Sequence, residues 1–218
     1  MPALRILIAD DHEIVRQGLR SILAGVRECE IVGEASDGRR AVSMAKEHNP
    51  DIVILDIGMP TLNGLEAARQ ILKMRPQTKI LILTMHESDS VIREVLDAGA
   101  RGYILKTDAG RDLVTAVESL RRNKAFFTSR VSQMILDGFL KGEPRPREGE
   151  STGIRLTPRQ REIVQLLAEG KSSKEVAVTL DLSVKTAETH RANIMRKLDC
   201  HSVSEVVRYA IRNKIIDA

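Results

Sequence analysis

The sequence predicts an α/β unit built on a five-stranded, doubly wound parallel sheet, followed by a second, smaller all-α unit. Three observations predict it. Five short apolar runs alternate with amphipathic stretches of helical length, and this alternation ceases after Arg121. A charged stretch with two prolines and three glycines, residues 141–153, has the composition of a linker. Beyond it the pattern is helical only. Five strand–helix units are too few for an eightfold barrel, so the sheet is open.

The expected strands are residues 5–9, 31–34, 52–55, 79–83 and 102–105. Ile52, Val53, Ile54 and Leu55 are apolar at successive positions, as in a strand covered on both faces. Between the strands, apolar or small residues recur at helical spacing. Ile14, Gly18, Leu19 and Ile22 mark the first helix, and Ala41, Met44, Ala45 and His48 the second. Leu65, Ala68, Ile71 and Leu72 mark the third, Val91, Val95 and Ala98 the fourth, and Leu113, Val117 and Leu120 the fifth. Residues 128–140 read as a short helix with Thr or Ser at its cap. The tail holds four more, at 158–168, 173–180, 183–198 and 202–213. The expected division is 4–122 for the α/β unit, 123–151 for a linker with one short helix, and 152–217 for the helical unit.

The formal net charge of +4 is unevenly placed. From Arg155 onward there are 12 Lys/Arg against 8 Asp/Glu, whereas residues 1–154 hold 22 of each. A basic tail places any nucleic-acid contact there. No apolar run approaches the roughly 18 residues a membrane span needs, and the first ten residues lack a signal-peptide pattern. Cys29 and Cys200 have no Cys/His spacing around them, so idle thiols in a reducing, cytoplasmic setting are expected.

In an open α/β sheet the functional crevice lies outside the carboxyl ends of the strands. Strand one ends in Asp10 and Asp11, strand three in Asp56, strand four in Thr84, and strand five leads into Lys106. One Asp at a strand end is an ordinary turn residue. Three carboxylates, a hydroxyl and an ammonium on one rim are a chemical set. Crowded carboxylates need a cation, and all-oxygen ligation suits Mg²⁺ or Mn²⁺. With the ion bound, one carboxylate can attack a phosphoryl donor, and Lys106 and Thr84 can then hold the phosphoryl oxygens.

These segments, "IADDHEIVRQGL", "VILDIGMPTLNGLE", "ILILT" and "GARGYILK", resemble the receiver domain of bacterial two-component response regulators. The resemblance implies a flavodoxin-like fold over residues 4–122 and makes Asp56 the phospho-acceptor. Asp10, Asp11 and Asp56, with the Gly58 carbonyl, would hold Mg²⁺, and Thr84 and Lys106 would sense the phosphoryl group. It also places Tyr103 as an aromatic switch and Gly58 and His86 at the positions flanking the site. One departure concerns the turn after Lys106, where Thr107 stands in place of a proline that in many receivers follows a cis peptide.

In the tail, Thr157 and Pro158 are a natural N-cap and first helical residue, Gly170 stops that helix, and Asp181-Leu182-Ser183 turns into the next but one. On the helix at 183–198, Ala187, His190, Ile194 and Leu198 form a core stripe. The opposite face carries Lys185, Glu188, Thr189, Ala192, Asn193 and Arg196. That face suits a major groove, with cations toward phosphate and the rest toward base edges. Scarce aromatics argue against single strands, so duplex DNA is the expected target. "LTPRQREIVQLLAEGKSSKEVA" and "SVKTAETHRANIMRKL" resemble the LuxR-type helix-turn-helix. In that family the last helix pairs two subunits, which implies dimerisation through Val203, Val206, Val207 and Ala210, with Ile211 on the same stripe.

Both resemblances together imply a NarL/FixJ-type response regulator that is not a turnover enzyme. A sensor histidine kinase would phosphorylate it on Asp56, and it would bind DNA as a homodimer. The alternative from another class is an aspartate-nucleophile phosphatase. Its second acid stands two residues beyond the nucleophile on the first strand, whereas here Asp10 is followed by Asp11 and then His12. A ligand-sensing LuxR-type activator would need a small-molecule pocket where this chain has an acid rim.

Overall fold

The computed structural model describes residues 3–85, 88–140 and 156–216. The expected linker at 141–153 lies outside the described residues for all its length. The chain divides into two compact units, Met1–Gly142 and Glu143–Ala218.

The first unit alternates β1 (Leu4–Ala9), α1 (Glu13–Leu23), β2 (Cys29–Ala35), α2 (Gly38–His48), β3 (Ile52–Asp56), α3 (Gly64–Met74), β4 (Lys79–Thr84), α4 (Asp89–Asp97), β5 (Gly102–Leu105) and α5 (Ala109–Arg121). All five strands pair in parallel in the order β2-β1-β3-β4-β5. Every residue of β3 is buried, because the strand has helices on both faces. Ile6, Ile8, Ile52 and Ile54 point to the cluster that includes Leu19, Leu23, Leu113 and Val117. Leu7, Val53 and Leu55 point to the opposite cluster with Ala41, Ala45, Ala68, Ile71 and Val91.

Two expectations about packing change. The buried stripe of α1 runs through Leu19 and Leu23, with Val15 and Ile22 partly buried, while Ile14 is 84 % exposed and Gly18 faces water. The stripe is thus rotated from the one that Ile14 and Gly18 marked. The stretch from Asn123 onward, expected within the linker, packs on the first unit. Phe126 bridges to Gly102 of β5, Tyr103 N donates to Phe126 O at 3.0 Å, and Phe126 N to Arg101 O at 3.0 Å. The helix that follows, α6 (Ser129–Leu140), starts with Thr128 Oγ1 accepting from Val131 N. It sinks Val131 fully into the core, with Phe127 and Met134 alongside.

The second unit is α7 (Pro158–Ala168), α8 (Ser173–Leu180), α9 (Val184–Leu198) and α10 (Val203–Arg212). Each start is written locally. Thr157 and Gln160, and Ser172 and Glu175, form reciprocal capping boxes, while Ser183 and Ser202 accept from Thr186 N and Glu205 N. The stops are equally local: Gly170 at φ +83°, and Asp181 and Asp199 in the left-handed region at φ 52° and 53°. Ile163, Leu166, Leu167, Val176, Leu180, Ala187 and Ile194 form one core.

Val206 and Ala210 belong to that same core, 1 % and 0 % exposed. This corrects the expectation that they face a dimer mate: α10 packs on α7, so that side of its apolar stripe is used inside the unit. Val203 is exposed and Val207 half-buried.

Candidate functional site

Sheet order and register build the site. The switch point of this topology lies between β1 and β3. Ala9 pairs with Leu55, so Asp10 and Asp56 leave neighbouring strands side by side. Asp56 pairs with Leu83, one residue before Thr84, and Thr84 pairs with Leu105, one residue before Lys106. Asp10 and Asp56 thus sit level on the rim, with Thr84 one residue and Lys106 two residues further along their strands.

Asp10 is fully buried and Asp56 is 5 % exposed. The Lys106 ammonium reaches both, at 2.8 Å from Asp10 Oδ2 and 3.0 Å from Asp56 Oδ2. Among the described residues Asp10 Oδ2 meets this ammonium as an ion pair and lacks a well-aligned hydrogen bond. Burial pushes the Asp56 carboxyl up to about 6, with Lys106 pulling it down and Asp10 pushing it further up. Burial lowers the Lys106 ammonium, but its contacts with Asp10 and Asp56 outweigh that and hold it above the ordinary lysine value. Lys106 opens a one-turn 3₁₀ segment through Asp108, and no cis peptide occurs among the described residues. The Lys106–Thr107 turn is therefore made with a trans bond.

Asp11 is exposed, and His12 Nδ1 lies 2.7 Å from its Oδ1 and 3.3 Å from Asp10 Oδ1. Asp10, Asp11, His12 and Asp56 each offer a ligand atom, all within 4.8 Å of one another. Two buried carboxylates and a third at the mouth, facing one ammonium, leave net negative charge. Their hard oxygen donors fit a divalent cation such as Mg²⁺. Gly58 is half-buried two residues beyond Asp56; His86 lies outside the described residues. Thr84 is buried on the same rim. Tyr103 is fully buried, in the cluster that holds Val91, Ile92 and Val95 of α4 and Val131 of α6.

Sequence reasoning missed what holds the end of β3 in place. Gly64 N donates to Ile57 O at 2.9 Å, and a Cβ on Gly64 would stand 1.9 Å from the Asp56 carbonyl oxygen. Only glycine allows α3 to begin so close to Asp56. Asn63, which accepts from Glu66 N at 2.9 Å, caps the helix at the same point. The signal was present as an Asn-Gly pair where a helix had to start.

In the second unit the sequence-selected face is intact. Lys185, Glu188, Thr189, Ala192, Asn193 and Arg196 are all exposed, while Ala187, Ile194 and Leu198 are buried and His190 half-buried. Helix α9 follows α8 through the left-handed Asp181 and the Ser183 cap. This is a helix-turn-helix whose second helix presents a polar face.

Residues 6–118 match the family described as the response regulator receiver domain, and residues 155–210 the bacterial regulatory proteins of the luxR family. The oxygen regulatory protein NreC of Staphylococcus carnosus is 37% identical over 216 residues, 98% of this chain and all of that protein. This chain belongs to the NarL/FixJ-type response regulators. The transcriptional regulatory protein LiaR of Bacillus subtilis is 35% identical across 98% of the response regulator's chain and 100% of its own. Among solved structures, the RcsB response regulator of Salmonella typhimurium shares 28% identity with a TM-score of 0.58, covering 96% of this regulator and 98% of that chain. An RcsB–DNA complex aligns with a TM-score of 0.57 at 28% identity, over 95% and 97% of the two chains. The regulator thus joins a receiver domain to a LuxR-family DNA-binding domain, and the phosphatase alternative is not supported. No described helix is long and apolar enough to cross a membrane.

Proposed function

We propose that Asp56 accepts a phosphoryl group from the phosphohistidine of a sensor histidine kinase, and that the modified receiver favours a homodimer bound to duplex DNA. The observation that carries this is the Lys106 ammonium held between two buried carboxylates at the β1/β3 switch point. An Asp56 carboxylate oxygen attacks phosphorus; the P–N bond to the donor imidazole breaks as the P–O bond forms, and the released imidazole nitrogen takes up a proton. The product is an acyl phosphate, and the chain is a stoichiometric acceptor rather than a turnover enzyme.

Asp10, Asp11, Asp56 and the Gly58 carbonyl would hold Mg²⁺, or Mn²⁺ in its place, and the ion supplies positive charge for the phosphoryl oxygens among three carboxylates. Lys106 exchanges its Asp56 oxygen for a phosphoryl oxygen, and the buried Thr84 hydroxyl donates to another. Tyr103, packed inward, responds to the space that Thr84 vacates. Such a contact biases an equilibrium between two receiver states.

The receiver assignment is 4–122 and the DNA-binding assignment 152–217. Lys185 and Arg196 contact phosphate, while Glu188, Thr189, Ala192 and Asn193 face base edges. Val203 and Val207 are left for subunit pairing. Two free thiols, Cys29 and Cys200, agree with a cytoplasmic setting. The RcsB–DNA complex and the regulatory names of NreC and LiaR support the same reading.

The test is labelling with a small acyl-phosphate donor and Mg²⁺. Intact mass should show one base-labile phosphoryl adduct, mapped to Asp56 and absent from Asp56→Asn. An adduct of equal yield on the Asn variant overturns the assignment.

A further inference from the structure

The DNA-facing side of α9 presents six exposed residues, Lys185, Glu188, Thr189, Ala192, Asn193 and Arg196. Two of its polar groups are already engaged within the helix. Thr189 Oγ1 donates to Lys185 O at 2.8 Å, and Asn193 Oδ1 accepts from Arg196 at 2.6 Å. Glu188 is different. Among the described residues its carboxylate makes no hydrogen bond or ion pair, although Lys185 and Arg191 stand three positions to either side. At that spacing Arg69 pairs with Glu66, and Arg159 with Glu162 at 3.0 Å, elsewhere in this chain. The face therefore offers one uncommitted carboxylate, and it carries a negative charge.

A carboxylate turned toward duplex DNA is repelled by the phosphates at every sequence. What offsets this is a donor at a base edge. In the major groove cytosine offers its N4 amino group without a neighbouring acceptor on the same base. Adenine sets N7 beside its N6 amino group, and guanine and thymine turn acceptor oxygens outward. A glutamate there selects by repulsion of the wrong bases as much as by attraction to the right one. Glu188 is the fifth residue of α9, within the half of a second helix that reaches base edges. Ala192, one turn further on, leaves room for close approach.

We propose that Glu188 selects a cytosine at one position of each half-site. The proposal rests on the DNA-binding reading of α9 given above. It adds a base preference to a face whose two cations contact phosphate and carry no sequence information.

The test uses the full chain treated with phosphodonor and Mg²⁺, selecting from a pool of random duplexes, as the parent, Glu188→Gln and Glu188→Ala. The side chain is exposed and unpaired, so all three should show the same helical circular dichroism. The parent should fix cytosine at one position per half-site, with any other base there weakening binding by roughly 5- to 150-fold. Glu188→Gln should move that position to adenine, whose N6 and N7 an amide can bridge. Glu188→Ala should flatten that position alone and bind more tightly overall at low salt, since a repelling charge is gone. If the Ala variant selects the same base with the same strength everywhere, the role of Glu188 is overturned while DNA recognition stands. If the parent selects no sequence at all, the DNA-binding reading fails, and this proposal with it.

Discussion

Replacing Asp56 by Asn removes the proposed nucleophile, and it should also stabilise the metal-free receiver. Folding raises the Asp56 carboxyl from the ordinary 3.8 to about 6. Between these values the folded state holds a proton that the unfolded chain has lost, so stability falls as pH rises through the window. Above it, ionised Asp56 opposes folding by about 3 kcal/mol, the free energy equivalent of the gap. An amide carries no charge to desolvate, although its NH₂ has to find partners and Lys106 keeps only Asp10. A net gain of about 1–3 kcal/mol at pH 7.5 is expected, or roughly 3–10 °C in Tm for a unit of this size. The assay is thermal melting in EDTA. The chain has two tyrosines and no tryptophan, and each unit holds one tyrosine, so a Tyr209→Phe background leaves Tyr103 to report on the receiver alone. At pH 4 the advantage should shrink toward zero, because the parent carboxyl is then protonated. With Mg²⁺ near 100 times its Kd the parent should recover about 2.7 kcal/mol through ligand linkage. An Asn variant that melts at or below the parent at pH 7.5, or whose advantage persists unchanged at pH 4, refutes the argument.

Lys106→Ala should leave two buried carboxylates without their cation, lowering metal-free stability by about 3 kcal/mol at neutral pH; sedimentation should also show that the phosphorylated variant dimerises more weakly than the phosphorylated parent. Gly64→Ala should destabilise the receiver by about 2–4 kcal/mol in urea unfolding, since its methyl meets the Asp56 carbonyl. Lys185→Ala or Arg196→Ala should weaken DNA binding nearly equally across sequences and reduce the salt slope by about 0.9 each, which gel shifts at several salt concentrations measure.

Much of the site was legible because it is made of strand ends. A run such as Ile52–Leu55 is unambiguous in period and length, and the residue that follows such a run lands on the rim whatever the helices do. Parallel register then brings Asp10, Asp56, Thr84 and Lys106 to the same rim. The strand limits were harder to read. The ladder includes Asp56 and Thr84, each one residue beyond its apolar run, and β2 starts two residues early at Cys29. Helix faces were less secure. An apolar stripe such as Val203, Val206, Val207 and Ala210 shows which side avoids water but not whether its own domain or a partner covers it. In α10 the domain covers Val206 and Ala210. The closeness of Gly64 to Asp56 depends on a three-dimensional approach, and the Asn-Gly pair pointed to a turn without saying what lay opposite.

In the sequence residues 123–140 go with the charged stretch that follows, because the strand–helix alternation ceases after Arg121. In the structure Tyr103, Phe126 and Val131 form one continuous arrangement. Phe126 O accepts from the backbone of the very residue whose ring is the proposed switch, and Val131 shares a cluster with that ring and with Val91, Ile92 and Val95 of α4. A further tie joins Arg130 to Asp89, the first residue of α4, at 3.5 Å. The chain therefore leaves the receiver from the flank of the strand that carries Lys106. A packed core has discrete arrangements rather than a continuum of them, so on the proposed switch reading a change in the Tyr103 ring would reach Val131 as a choice between seatings of α6. On that reading a phosphoryl group on Asp56 would need no long relay to the end of the receiver, because Val131 of α6 already packs in the cluster around Tyr103.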